Sequence, residues 1–356
     1  MKKVALLLLL ILLAAAAAAG WIYVRVEEPY RGYEGPEQIV DVPPGAGPRS
    51  IGDRLVTAGV VRDALSFRLG LYLSGQSRRL QAGEYRFDRA MTPMQVIDKL
   101  ARGDVYVVTI TFPEGLTIAE MARIFESQEF GSAAEFVEAA GDPSPIEALD
   151  PEARDLEGYL FPETYPLPRK TPASRLVRQM TDRFERVMTP DLRRAAEAKG
   201  LTVRQAVTLA SIIEKEASRQ EERPLVAAVY ANRLRIGMPL QADPTVIFAL
   251  LRAGTYTGNL RRDDLAFDSP YNTYRYPGLP PGPIASPGRA AIEAALNPAA
   301  VDYLYFVSRN DGSHEFARTL GEHNRNVQKW QVQFFRDRRA QERAEGAGAA
   351  GNQIQN

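Results

Sequence analysis

The most informative hydrophobic pattern lies between residues 202 and 217, where the sequence reads TVRQAVTLASIIEKEA. Apolar residues recur there at the three- and four-residue spacing of one helical face. Thr202, followed by Gln205 three residues later, is the capping-box pattern that starts a helix. At about 100° per residue, Glu214 falls inside the apolar arc and Glu216 lies near its edge. The pattern therefore predicts a helix that turns Glu214 towards a core or a cleft.

Two interpretations fit a glutamate on such a face. Burial in low dielectric raises the pKa of a carboxyl group, so Glu214 would hold a proton near neutral pH and act as a general acid. Alternatively, Glu214 forms a buried ion pair with one of the many arginines. A serine amidase or peptidase that uses Ser211 and Lys215 is disfavoured, because Lys215 points away from the apolar arc and no GxSxG sequence occurs.

The amino-terminal segment forms the longest apolar run of the chain. Behind two lysines, residues 4–24 carry no charge and are about long enough to cross a bilayer as one helix. The lysines favour a cytoplasmic amino end, and Trp21 and Tyr23 stand where an interfacial aromatic belt belongs. A cleaved signal peptide is the alternative, because the alanine run offers cleavage sites. We expect a single-pass protein of the inner (plasma) membrane, with the chain from Arg25 onward periplasmic or extracytoplasmic.

Short strand and helix patterns after this segment predict an α+β fold. The unit that contains AGEYRF, a turn into a short strand between two helical patterns, resembles a LysM module, a glycan-binding domain; a packing or spacer role is the alternative. The predicted parts are a cytoplasmic end with a transmembrane anchor (1–25), a linker (26–39), a LysM-like subdomain (40–108), a larger mixed α/β catalytic domain (109–342) and a disordered tail (343–356).

Composition excludes several classes of protein. The 356 residues carry 44 basic and 44 acidic side chains, so the charge signature of a nucleic-acid binder is absent. Without cysteine the chain has no thiolate nucleophile and no cysteine metal site. His314 and His323 are nine residues apart, which fits neither an HExxH nor a zinc-finger pattern. We therefore expect neither a zinc site nor nucleic-acid binding.

Two loops beyond the central helix carry amide and aromatic side chains. The first reads MPLQADPT, in which Asp243 is predicted to cap a short helix that starts at Pro244, whereas Gln241 has no structural task. The second reads SPYNTY and contains Asn272 and Tyr274; a proline-rich run, GLPPGPIASPG, follows it. Rigid loops of this composition are suited to holding sugars by stacking and by amide hydrogen bonds.

Four runs occur in order along the chain: LASIIEKEA, VYANRLRIGMPLQADPT, SPYNTYRYPGLPPGPIASPG and YLYFVSRNDGSHEF. Together with the anchor and the LysM-like unit, they resemble the YceG-like (MltG) family of endolytic transglycosylases over roughly residues 40–329. The resemblance implies an enzyme that cuts peptidoglycan glycan strands internally, between N-acetylmuramic acid and N-acetylglucosamine, and so terminates their elongation. It implies peptidoglycan as the substrate and, more weakly, peptidoglycan synthases as partners.

The family's catalytic glutamate lies in the segment that matches LASIIEKE, which implies Glu214 and leaves Glu216 as the alternate assignment. The implied reaction needs one carboxyl group and no metal or cofactor. The carboxyl group protonates the oxygen that links the two sugars and then takes a proton from the C6 hydroxyl of the N-acetylmuramic acid, closing a 1,6-anhydro ring. Analogy with other lytic transglycosylases suggests residues that orient the N-acetyl group and the leaving oxygen. The candidate substrate-binding residues are Gln241, Asn272, Tyr274, Glu216 and Asp243.

Two other functions stay open at this point. The chain could be a membrane-anchored scaffold that binds peptidoglycan without cutting it. It could also be a muramidase-type hydrolase, in which water attacks in place of the C6 hydroxyl.

Overall fold

The computed structural model describes residues 2–169, 171–336 and 338. The chain divides into two compact units. The first comprises the chain up to Ile110 together with Tyr165–Thr171, and the second comprises Thr111–Thr164 and the chain from Pro172 onward. The predicted disordered tail, 343–356, lies outside the described residues.

The first unit places three helices on a two-stranded antiparallel sheet. In this sheet Val40 lies opposite Tyr85, and its core includes the buried side chains of Leu55, Phe67 and Leu100. The helices and strands that open the chain are α1 (Lys2–Glu27), β1 (Gln38–Val42), α2 (Pro48–Thr57), α3 (Ala64–Ser74), β2 (Gly83–Phe87) and α4 (Pro93–Arg102).

Local sequence signals account for the ends of these helices. α4 begins at a capping box of Thr92 and Gln95 and ends at Gly103, which has a φ of 67°. Only glycine adopts that left-handed conformation without strain, so it makes a natural helix stop. α3 begins where the Asp63 carboxylate accepts a hydrogen bond from the Ser66 N–H at 2.8 Å. The sequence pattern did not predict α3.

α1 belongs to the first unit along the chain, but it packs on the rest of that unit only through its carboxyl-terminal end. Residues Leu6–Glu27 form a candidate membrane span with a mean hydropathy of 2.5, a property that a signal sequence would share. Val26, in contrast, is only 2% exposed, and Arg25 forms an ion pair with Asp63. The last turn of α1 therefore packs into the same unit as α3.

A second small sheet marks the boundary between the units along the chain. It consists of β3 (Val107–Thr111) and β4 (Thr164–Pro168). The chain leaves the first unit after Ile110, returns to it for Tyr165–Thr171, and leaves it again.

The second unit is mainly helical and carries one antiparallel hairpin, in which Tyr305 lies opposite Ala317. Its central helix is α9, which packs against four other helices. The elements of this unit are α5 (Ile118–Ser127), α6 (Ala133–Ala140), α7 (Ala173–Val187), α8 (Pro190–Ala198), α9 (Val203–Glu216), α10 (Arg223–Arg235), α11 (Asp243–Arg252), α12 (Arg289–Leu296), β5 (Tyr305–Ser308), β6 (His314–Ala317) and α13 (Leu320–Val327).

The predicted combination of helices and strands is confirmed, together with one apolar amino-terminal helix. The order strand, helix, helix, strand in the first unit is compatible with a LysM-like module, which remains a prediction. The domain boundaries also remain predictions.

Candidate active site

α9 carries both glutamates of the EKE sequence at its carboxyl end. The helix starts at the predicted capping box, in which the Gln205 N–H donates to Thr202 Oγ1 at 3.2 Å and the Thr202 N–H donates to Gln205 Oε1 at 3.0 Å. Every residue from Ala206 to Ile213 is buried, because α8, α10, α11 and α12 pack around the helix. A rigid helix therefore positions both carboxyl groups.

Glu214 lies in a buried ion pair. Arg223 Nη2 donates to Glu214 Oε1 at 2.6 Å, and the Gly288 N–H donates to Oε2 at 3.0 Å. The side chain of Glu214 is 5% exposed and that of Arg223 is 7% exposed. Both carboxylate oxygens of Glu214 thus already accept a hydrogen bond.

Glu114 adds a second carboxylate to this pair. Arg223 Nη2 also lies 3.2 Å from Glu114 Oε2. A side chain at position 288 would meet the Glu114 carboxylate, so Glu114 keeps its present position beside Arg223 only next to a glycine. The Gly115 N–H donates to the carbonyl of Ser286 at 2.8 Å, which holds the Glu114 segment beside the Gly288 segment.

Burial raises the pKa of Glu214 above its ordinary value, whereas the Gly288 N–H and the charge of Arg223 lower it. An arginine guanidinium is always charged in proteins, so a buried one such as that of Arg223 needs an ionised partner. We therefore interpret Glu214 as the anionic half of an ion pair. The predicted burial of Glu214 is confirmed, and the ion-pair interpretation describes its surroundings better than that of a poised acid.

Glu216, the last residue of α9, has different surroundings. The Tyr230 hydroxyl donates to Glu216 Oε1 at 3.0 Å. Among the described residues, none donates a hydrogen bond to Oε2 and none forms an ion pair with Glu216. One oxygen is therefore held in place while the other remains available to carry a proton.

Burial raises the pKa of Glu216 to about 7; the Tyr230 hydrogen bond and the charge of Arg233 oppose this shift, and the charge of Asp243 adds to it. A carboxyl group with a pKa near the working pH both donates and accepts a proton readily, which is the requirement for a general acid that later acts as a base. Glu216 meets this requirement on geometry and on pKa together.

Tyr274 and Asp243 lie close to Glu216 and bind each other. The Tyr274 hydroxyl donates to Asp243 Oδ1 at 2.6 Å, and burial is the main cause that raises the pKa of Tyr274. The predicted helix cap at Asp243 is wrong. α11 begins at Asp243 itself without a side-chain cap, because the carboxylate of Asp243 is engaged by Tyr274.

Gln241 is exposed on the loop that leads into α11. Its φ is 51°, an uncommon value for a residue other than glycine. Its N–H donates to the carbonyl of Thr273 at 3.2 Å, and the next N–H, of Ala242, donates to Thr273 Oγ1 at 3.0 Å. These bonds join the loop of Gln241 to the loop of Tyr274. They therefore fix the positions of the two side chains relative to each other.

Asn272 is fully buried and its side chain is occupied. Its Nδ2 donates to the carbonyls of Leu265 at 3.0 Å and Phe267 at 2.8 Å, while its Oδ1 accepts the N–H of Tyr274 at 2.9 Å. The expectation that Asn272 contacts the substrate is therefore corrected: Asn272 holds the loop that presents Tyr274.

Ser211 and Lys215, the pair that a serine amidase or peptidase would use, do not form a hydrogen bond with each other in the structure. The Ser211 hydroxyl donates to the carbonyl of Thr208 at 2.7 Å and accepts the N–H of Ile284 at 3.0 Å. Lys215 points elsewhere, with its Nζ donating to the carbonyl of Gly115 at 3.0 Å. Ser211 is thus a packing residue.

Sequence reasoning missed three residues that define the two glutamate environments. Arg223, Tyr230 and Arg233 all lie on α10, and all three are buried. Arg233 is held by the carbonyls of Leu304 and Leu240, each at 2.7 Å. The available signal was the spacing of Tyr230 and Arg233, three residues apart and hence on one face of a helix that follows α9 closely.

Comparison with known proteins shows the family of the chain. The sequence model of the YceG-like family matches residues 40–329. The chain belongs to the YceG-like family. A solved structure of a YceG-like protein from Listeria monocytogenes has a TM-score of 0.56 and 32% identity to this chain, covering 82% of this chain and 98% of that one.

Curated relatives of this YceG-like protein share one name. The endolytic murein transglycosylase of Bacillus subtilis (strain 168) is 33% identical over 310 residues, which cover 82% of this chain and 84% of the relative. The endolytic murein transglycosylase of Streptococcus pneumoniae serotype 2 is 32% identical over 318 residues, which span 81% of this chain and 57% of the relative.

Proposed function

We propose that this YceG-like protein is an endolytic peptidoglycan lytic transglycosylase whose acid and base is Glu216. Family membership and the shared name of the curated relatives support the activity. The observation that carries the residue assignment is the contrast on α9. Glu214 is neutralised by Arg223, whereas Glu216 has one oxygen with no donor among the described residues and a pKa raised to about 7.

In the proposed reaction Glu216 starts protonated. It gives its proton to the oxygen that links N-acetylmuramic acid to N-acetylglucosamine, and the bond from that oxygen to the anomeric carbon of the muramic sugar breaks. The N-acetyl carbonyl of the same sugar stabilises the positive charge that develops on the anomeric carbon.

Ring closure completes the reaction and regenerates the acid. The C6 hydroxyl of the muramic sugar attacks the anomeric carbon, and the carboxylate of Glu216 takes the hydroxyl proton, leaving a 1,6-anhydro end. The attacking group belongs to the same sugar, so little entropy is lost in bringing the reactants together. This route needs one carboxyl group, whereas ordinary glycoside hydrolases use two.

The side chains near Glu216 have supporting tasks in this proposal. The Tyr230 hydroxyl fixes the Glu216 carboxyl and limits how far its pKa rises. Tyr274, held by Asp243, and the exposed Gln241 are the candidates for contacting the N-acetyl group or the leaving oxygen.

The location and partners of the enzyme are further parts of the proposal. α1 anchors the protein in the inner (plasma) membrane with its amino end in the cytoplasm and both compact units outside. The first unit, as a LysM-like module, binds glycan strands. Nascent strands are the substrate, and peptidoglycan synthases are the proposed neighbours.

The deciding experiment digests purified glycan strands with the full-length protein and weighs the products by mass spectrometry. Products with 1,6-anhydro ends, absent from a Glu216→Gln digest, would support the reaction and its acid. Reducing ends would show hydrolysis by water instead. Binding of strands by a folded protein without any cleavage would favour the scaffold.

A further inference from the structure

α3 carries apolar side chains on its buried side and also on its exposed side. Ser66, Phe67, Gly70 and Leu71 are buried on the side that meets the core. At about 100° per residue, a second set of side chains lies on the opposite side and its flank. This set, which we name the α3 outer face, consists of Leu65, Leu69, Tyr72 and Leu73.

The exposure of the α3 outer face is large. Leu65 is 44% exposed, Leu73 is 58% exposed and Tyr72 is 86% exposed. A surface helix of a protein surrounded by water usually turns polar side chains outward. α2, which packs on the same core, does so, since its exposed residues include Arg49, Ser50, Asp53 and Arg54.

The α3 outer face lies beside the end of the candidate membrane span. Arg25 of α1 pairs with Asp63, the residue that caps α3, and its Nη1 lies 3.5 Å from the Ser66 hydroxyl. A Cβ at Gly70 would lie 3.6 Å from Val26 Cγ1, so the two helix backbones approach closely. Leu73 shares a flank of α3 with Ser66, so the apolar face continues towards α1.

The charged residues that follow the Asp63 cap, in α3 and in the loop after it, are all basic. Residues 64–83 contain three arginines, Arg68, Arg78 and Arg79, and no acidic residue. All three arginines are exposed, and none forms an ion pair within the part of the chain that the structure describes. Apolar side chains with a tyrosine, flanked by arginines, are the composition of helices that lie in the headgroup region of anionic membranes.

We propose that the α3 outer face lies in the headgroup region of an anionic bilayer, at the point where α1 enters it. The arginines attract lipid phosphates, the leucines reach the upper acyl chains, and Tyr72 takes the interfacial position that tyrosine favours. This contact is independent of the chemistry at α9. It fixes the first unit against the membrane surface instead of leaving it to swing on the end of α1.

The natural absence of cysteine makes this proposal directly testable, because single cysteines can be labelled in the otherwise unchanged chain. The full-length variants Tyr72→Cys and Ser50→Cys, the second on the polar face of α2, are labelled with a polarity-sensitive fluorophore. Each is reconstituted into vesicles of neutral phosphatidylcholine and into vesicles that also contain anionic phosphatidylglycerol.

At position 72 the label should emit at shorter wavelength in anionic vesicles and should be quenched about threefold more strongly by a lipid-attached quencher than the label at position 50. Changing Arg68, Arg78 and Arg79 to glutamine should reduce this difference. Equal, water-like emission from both positions would overturn the proposal and would point to a protein partner for this face. If the labels at positions 72 and 50 differed as much in neutral vesicles as in anionic ones, the proposed requirement for anionic lipid would be overturned.

Discussion

Glu214 and Glu216 occupy the same end of α9, two residues apart, yet their carboxyl groups meet different chemistry. Glu214 accepts hydrogen bonds on both oxygens and is paired with a buried arginine. Glu216 accepts one hydrogen bond from the described part of the chain, and its donor is a neutral hydroxyl. Burial alone therefore does not identify an acid catalyst; the charge and number of the donors around the carboxyl group decide.

The largest expected effect comes from Glu216→Gln. This substitution keeps the shape and the Tyr230 contact but removes the transferable proton, so activity should fall by about 100-fold or more, the usual contribution of a general acid. Counting anhydro-ended products by mass spectrometry measures the loss, and circular dichroism checks the fold. A folded variant with near wild-type turnover would remove Glu216 from the mechanism.

Glu214→Gln should affect stability before chemistry. The substitution leaves Arg223 buried, with Glu114 as its one remaining acidic partner among the described residues, so the free energy of unfolding should fall by about 2–3 kcal/mol. Chemical denaturation measures the change, and the activity of the folded fraction should stay within tenfold of wild type, about 1.4 kcal/mol. Unchanged stability with activity lost would reverse the two assignments.

The pH profile should follow the proton on Glu216. Because the acid works protonated and its pKa is raised to about 7, turnover should decline as pH rises through about 7. Tyr230→Phe removes a hydrogen bond that lowers this pKa, so the decline should move to higher pH. A wild-type decline centred near 4.5, the ordinary glutamate value, would contradict the assignment.

Stability should depend on pH through the same residue. Between pH 4.5 and 7 the folded protein keeps the Glu216 proton while the unfolded chain has lost it, so the free energy of unfolding should fall as pH rises through this window. Glu157, whose pKa burial raises to about 8, acts in the same direction. Glu216→Gln should make the slope shallower without abolishing it, as denaturation at several pH values would reveal.

The smallest expected effect is that of Asp243→Asn. The charge of Asp243 raises the pKa of Glu216, so its removal should shift the pH profile to lower values by less than about one unit. Turnover at the optimum should change less than tenfold, about 1.4 kcal/mol. A shift in the opposite direction would indicate that Tyr274, once released from Asp243, changes its contact with the site.

The sequence predicted those features of this site that depend on residues close together in the chain. The start of α9 and the burial of Glu214 follow from residues within one helix. The partners of the two glutamates do not, because Gly288 lies 74 residues away in sequence and Tyr230 lies on another helix. A helical wheel gives the direction of a side chain but not the residues that it contacts. For this reason the sequence favoured Glu214 over Glu216 as the catalytic residue.

The sequence predictions and the structure also differ at α3 and at Asn272, and both differences have physical reasons. α3 was not predicted because a helix that is apolar on both faces lacks the regular change between apolar and polar residues from which a helix is recognised. Asn272 was expected at the substrate because amides suit sugars, but an amide also satisfies buried carbonyls, and Leu265 and Phe267 occupy it. Composition alone could not distinguish the two uses.

The return of Tyr165–Thr171 to the first unit has a consequence for how this protein can be divided. The chain passes between the units three times, so no single cut separates them. A shortened protein that begins at residue 111 would carry β4 with an unpaired edge, and exposed edges invite association with other chains. Gain or loss of the first unit during evolution would therefore require two coordinated changes in the gene, so the two units should be inherited together.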